Sequence, residues 1–136
     1  MIREQKGFSL VEVLMGVILL AVGLLALAGL QIASTTGSFK SNNLMQASYI
    51  AQDSLETLRS LVSNSDNQIE QNLYNTLLQP GEYTNNKAAG SVAVSGVVYK
   101  RRYTVTDDDG VRVITYVVTW RDNADHSVTY VTRRSQ

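Results

Sequence analysis

The sequence contains no cysteine, one proline, one histidine and one tryptophan among its 136 residues. Without cysteine there is no disulfide framework, no thiolate metal site, no cysteine nucleophile and no lipid-modified N-terminal cysteine. A lone histidine, His126, does not furnish a histidine-based zinc site, and it makes a Ser/His/Asp triad hard to assemble. An excess of charge of one sign is also missing. The 12 Lys+Arg balance 12 Asp+Glu, whereas a dedicated nucleic-acid binder usually carries a basic excess. The length fits one ordinary domain.

What is present is unevenly spread. Between Lys6 and Lys40 the only charged residue is Glu12, and Val13 to Leu30 consists entirely of Ala, Val, Leu, Ile, Met and Gly. A charge-free run of this length predicts a membrane-spanning helix over residues 8–30 rather than a soluble core helix. The flank before it sets Arg3 and Lys6 against Glu4, which places the N-terminus in the cytoplasm and the bulk of the chain across the membrane. Ala26-Leu27-Ala28 has the form of a secretory cleavage site, but the run is longer than the usual signal core and holds Glu12 near its start. A carboxylate in hydrocarbon costs about 3 kcal/mol unless it is neutralised or paired. Glu12 therefore either snorkels to the interface or meets a buried cation.

Lys6-Gly7-Phe8-Ser9-Leu10-Val11-Glu12-Val13-Leu14, read in order, resembles the class III signal of type IV pilins and pseudopilins. The resemblance covers about the first quarter of the chain. It implies a leader of residues 1–7, cut by prepilin peptidase between Gly7 and Phe8, with N-methylation of the new Phe8 amine. It also implies that Glu12 is the acidic residue that sets the register of packed helices by pairing with that amine on a neighbouring subunit. Glycine lets the peptidase approach an extended backbone. Gly16, Gly23 and Gly29 either allow close helix packing or reflect the ordinary glycine content of membrane helices. Many pilins break the helix with proline near the position of Gly29; this chain does not.

The head is expected over residues 31–136. An amphipathic helix over 31–62 is predicted from Leu44, Ala47, Ala51, Leu55, Leu58 and Val62, which recur at steps of three and four. Asn43, Gln46, Asp53, Glu56 and Ser60 are placed opposite them. Taken with the apolar run, residues 8–62 would form a helix roughly 80 Å long. Residues 63–91 read as a connecting region, with Ser65 and Gln68 capping a short helix that carries Ile69, Leu73 and Leu77 and ends at Pro80-Gly81. From Val92 to the end the period becomes two. Strands are predicted at Val97–Thr106, Val111–Trp120 and Ser127–Thr132, joined as an antiparallel meander by turns at 107–110 and 121–125. One face of Val111–Trp120 must pack on the helix stripe. The expected fold is therefore α+β and pilin-like: a long N-terminal α-helix, membrane-spanning then amphipathic, on a small antiparallel sheet. The close of the chain, from Val117-Val118-Thr119-Trp120-Arg121-Asp122 through Val128-Thr129, resembles PilV-type minor pilins.

Candidate chemistry is thin. Asp107-Asp108-Asp109-Gly110 reads as a hairpin turn, since an EF-hand needs a later glutamate and none follows Glu82. Lys100-Arg101-Arg102, flanked by Tyr99 and Tyr103, would be split between the two faces of a strand, which argues against nucleic acid as a partner. Arg133-Arg134 reads as a frayed tail and His126 as an isolated turn residue. No catalytic set, metal site or cofactor is expected. The resemblance implies a non-enzymatic minor pilin, with a type II secretion minor pseudopilin and a signal-anchored periplasmic binding domain as alternatives. Its implied partners are prepilin peptidase, other minor and major pilins, the inner-membrane assembly platform, membrane lipid before assembly and a pilus-tip adhesin. Its implied location is the bacterial inner membrane, then the periplasm or a pilus at the cell surface, with cell adhesion as an associated role.

Overall fold

The computed structural model describes residues 7–61 and 66–135. Residues 1–6 of the leader, Val62 of the expected stripe and Ser65 of the expected cap lie outside the described residues. Chain contacts divide the protein into two units, Met1–Ser41 and Asn42–Gln136. One helix, α1 (Leu10–Ser60), contributes residues to both.

In the first unit α1 contains the apolar run, and its side chains from Phe8 to Ile32 are solvent-exposed. The helix begins where the local chemistry starts it. The carbonyl of Ser9 accepts from the N–H of Glu12 at 3.0 Å and of Val13 at 3.2 Å. Ser9-x-x-Glu12 has the capping-box pattern, and Glu12 lies in the first turn, where the helix dipole favours a negative charge.

The second unit is a two-layer α+β head. The last part of α1 and a short helix α2 (Gln68–Leu77) accompany a five-stranded antiparallel sheet. The strands are β1 (Gly81–Tyr83), β2 (Gly90–Val94), β3 (Val97–Asp108), β4 (Val111–Arg121) and β5 (Asp125–Ser135). β3, β4 and β5 form the expected meander, and β1 and β2 share the far side of β3. β1 and the start of β2 lie inside the stretch expected to be a plain connection.

Both tight hairpins have the same cause. Ser95-Gly96 (φ 51° and 81°) and Asp109-Gly110 (φ 55° and 82°) put successive residues at positive φ, the backbone that matches the twist of flanking strands. Asp107 Oδ1 accepts the Gly110 N–H at 3.1 Å, and its other oxygen lies 3.5 Å from Arg112. The aspartate cluster is thus built into the turn.

On the inner face of β4, Ile114, Tyr116, Val118 and Trp120 are buried against Ala47, Ala51, Leu55 and Leu58 of α1. Ala47, Ala51, Leu55 and Leu58 of the expected helix stripe are buried, and the difference lies at its start. Asn43, expected opposite the apolar face, is 3% exposed, whereas Leu44 is 48% exposed. Asn43, Ala47, Ala51, Ser54, Leu58 and Leu61 step by four and three around one side of the helix, and the sheet meets that side.

Two further expectations are corrected. Asn67, not Ser65, caps α2, its side chain accepting the Ile69 N–H at 3.0 Å, and Ile69 itself is 70% exposed. Arg133-Arg134 is not a frayed tail, because β5 continues to Ser135. Arg134 donates to the carbonyls of Leu58 (3.2 Å) and Arg59 (3.1 Å). It thereby satisfies orphan acceptors at the end of α1. Arg59 answers by donating to Thr132 Oγ1 at 2.6 and 3.1 Å.

Candidate functional site

Gly7, Phe8 and Ser9 are non-helical and precede the first turn of α1. Among the described residues an added Cβ at Gly7 would meet nothing within 4 Å, and Phe8 is 81% exposed. Glu12 follows within the first turn of α1. Gly16, Gly23 and Gly29 likewise face open space among the described residues.

The apolar run has a mean hydropathy of 2.8, and none of that window is buried within the chain. Exposing so many Leu, Val and Ile side chains to water is unfavourable by roughly 2 kcal/mol for each one that could be buried. A lipid bilayer or other helices must cover them. The sequence family described as the prokaryotic N-terminal methylation motif matches residues 2–28. The chain carries a prepilin-type signal. No match was found among curated proteins or among solved structures. The signal supports a type IV pilin-like or pseudopilin-like structural subunit. It implies processing by prepilin peptidase and assembly with other pilins, and it accords with anchoring in the inner membrane.

Behind the signal, the head is locked by tyrosine hydroxyls that the sequence pattern did not single out. Tyr83, Tyr103 and Tyr116 stack with centroids 4.7 and 5.9 Å apart. Tyr83 donates to Gln79 O at 2.8 Å, Tyr103 to Leu77 O at 2.9 Å, and Tyr116 to Ala88 O. Asn86 Nδ2 donates back to the Tyr103 hydroxyl at 3.0 Å. Three rings of the sheet thus hold carbonyls from the last residue of α2 to the approach of β2. Burial pushes the Tyr103 phenol up to about 12, with the Asn86 hydrogen bond opposing it.

His126 is not isolated. Its Nε2 lies 2.9 Å from Asp122 Oδ1, and its ring stacks on Trp120 at 5.3 Å. Burial would raise the pKa of Asp122. Hydrogen bonds from the Ala124 N–H, His126 and the Asn123 N–H outweigh it and hold the carboxyl below its ordinary 3.8. The alternation expected at Lys100-Arg101-Arg102 is present. Arg101 turns inward toward Ser54 Oγ (3.5 Å) and the carbonyls of Ala89 and Gly90 (3.4 Å each), while Lys100 and Arg102 are exposed. Tyr99 and Tyr103 are buried on the opposite face from those two cations, so the flanking aromatic rings and the exposed charges do not form one surface.

Proposed function

We propose that this chain is a minor pilin of the PilV type, made as a precursor, inserted with its N-terminus in the cytoplasm and cleaved after Gly7. The observation that supports a filament subunit is the prepilin-type signal over residues 2–28 running directly into a helix whose apolar side chains are exposed among the described residues; the PilV type rests on the resemblance of the stretch from Val117 to Thr129. On cleavage, the N-methylated Phe8 amine becomes a cation at the head of an apolar helix. Two isolated charges in a bundle core are costly, and each removes the other's penalty when Glu12 of one subunit meets the amine of the next. That pairing fixes the axial stagger between neighbours. Gly16, Gly23 and Gly29 then serve close helix approach. The head, residues 31–136, supplies contacts specific to this subunit with other minor and major pilins, the assembly platform and a tip adhesin.

The test is recovery of the chain in sheared filaments from cells with and without prepilin peptidase. The reading expects it in filaments only when the peptidase is present. Recovery that is independent of the peptidase, or absence from pili combined with loss of type II secretion, would contradict it.

A further inference from the structure

The sheet of the head ends in two open edges. Among the described residues β5 pairs only with β4, and β1 and β2 pair only with β3. The unpaired N–H and C=O groups of an edge are a template for another strand, and most proteins blunt them with proline, a bulge or a row of charges. β5 has none of these along its middle. It is 11 residues long and lacks proline, its register with β4 is unbroken from Asp125 to Ser135, and it carries no charge from Ser127 to Thr132. On the opposite edge, residues 84–89 between β1 and β2 turn under the inner face, where Ala88 and Ala89 are buried and the Tyr116 hydroxyl donates to the Ala88 carbonyl.

Strand direction selects the occupant. Every pairing across the sheet is antiparallel, so β5 runs opposite to β1 and β2. Two heads in the same orientation therefore bring β5 of one beside β1 and β2 of the next as an antiparallel pair. Within the head α1 lies along the strands. Tyr99, level with Trp120, reaches Asn43, and Arg134, level with Arg112 at the other end, reaches Leu58. Pairing β5 with β5 about a two-fold axis would reverse one head against the other, although both follow the same anchor. Charge then sets the register. Glu82 and Arg133 are exposed at opposite edges, and neither has an ion pair among the described residues. Glu82 is level with Val131 through Thr104 and Thr115. A strand that keeps its faces slides in steps of two residues, and one step sets Arg133 opposite Glu82. The same step sets Thr129 opposite Ser91 and lays half-buried Val128 against half-buried Val92.

We propose that these two edges form one interface between copies of this chain: β5 of one head adds antiparallel to β1 and β2 of the next, with Arg133 opposite Glu82. Main-chain hydrogen bonds supply the affinity and the charge pair fixes the alignment. The contact is heterologous, so it propagates as an open array instead of closing a dimer. The inference deepens the filament reading and rests on it only for the shared orientation of the copies.

The chain has no cysteine, so introduced thiols are the only ones it carries. Ser91 and Thr129 are exposed and lie on β2 and β5. Within one head they are separated by three strand spacings, about 14 Å, too far for an internal disulfide. The full-length chain with Ser91→Cys and Thr129→Cys together is made at its native level in its own cells, and intact membranes and sheared filaments are oxidised. The expected result is a ladder of disulfide-linked copies that extends beyond the dimer, with neither single variant cross-linking. Adding Arg133→Glu should abolish the ladder, and adding Glu82→Arg to that should restore it, a rescue that a misfolded head does not give. Four results overturn the inference: no ladder, dimers from Thr129→Cys alone as a two-fold pairing centred on Thr129 gives, cross-links only to a different protein, or a ladder indifferent to Arg133→Glu. Mass spectrometry of the N-terminus in the same samples keeps the two readings apart. A methylated Phe8 without a ladder removes the edge contact alone, and a retained leader with a ladder removes the filament reading alone.

Discussion

At the scale of the residue, Tyr103 shows how the head spends its aromatic content. Its hydroxyl is buried, donates to Leu77 O and accepts from Asn86, so Tyr103→Phe strands one acceptor and one donor. The expected loss is about 1–3 kcal/mol of head stability, read by denaturant unfolding with Tyr49→Phe, an exposed ring, as the neutral control. Because the folded-state pKa is raised, Tyr103 contributes its stabilisation in full below pH 10 and loses it as pH rises through about 12. Phenolate absorbance followed against unfolding should show this alkaline step, and Tyr103→Phe should shrink it without removing it, because burial also raises the phenols of Tyr83, Tyr99 and Tyr116. Asp122 has the opposite sign. Its pKa is depressed, so its contribution is complete above 3.8 and is lost as pH falls through the lower folded value. Asp122→Ala should flatten the acid limb of stability against pH; an unchanged limb would show that the turn does not depend on this carboxylate. At Glu12, the proposed pairing predicts that Glu12→Val leaves insertion and cleavage intact and abolishes incorporation, measured by immunoblot of sheared filaments. Incorporation at the parent level would remove the pairing from the account.

At the scale of the element, the end of α1 is where sheet and helix depend on each other. Arg134 reaches from β5 to the last carbonyls of α1, so Arg134→Ala should cost about 1–2 kcal/mol. It should also speed amide exchange in the last turn of α1 while leaving the first turn of α2 unchanged. Uniform exchange across both helices would contradict a local capping role. This arginine also shows what sequence could and could not reveal. The strands from Val97 onward were legible because β-branched residues alternate and Asp-Gly marks the hairpin, and the first half of the long helix because its apolar run is longer than a signal core and carries no charge from Val13 to Leu30. The role of Arg134 was hidden because its acceptors lie some 75 residues earlier in the chain. The start of the helix stripe was hidden for a different reason. Ala47, Ala51, Leu55 and Leu58 are buried as expected, and only the sheet's position decides that Asn43 rather than Leu44 precedes them on the buried side. The tyrosine hydroxyls escaped notice because their carbonyl partners are fixed by packing, as with Tyr116 and Ala88, 28 residues apart. At the N-terminus the signal was legible because it is local, whereas the helix begins at Leu10 rather than at residue 8, Phe8 and Ser9 being non-helical.

At the scale of the molecule, two regions with different solvents share one chain. The second unit holds a core of buried apolar side chains, whereas the first part of α1 buries none of its own among the described residues. Such a segment is stable only in lipid or among similar helices, and a lone carboxylate near its start is tolerable when something cationic meets it. Proteolytic release of the Phe8 amine is what would create that cation. The measurement that tests this most directly is mass spectrometry of the N-terminus of the chain purified from its native membrane. The account predicts that the mature protein begins at an N-methylated Phe8. A chain that retains residues 1–7, or one that begins at Gly29 after Ala26-Leu27-Ala28, would contradict it.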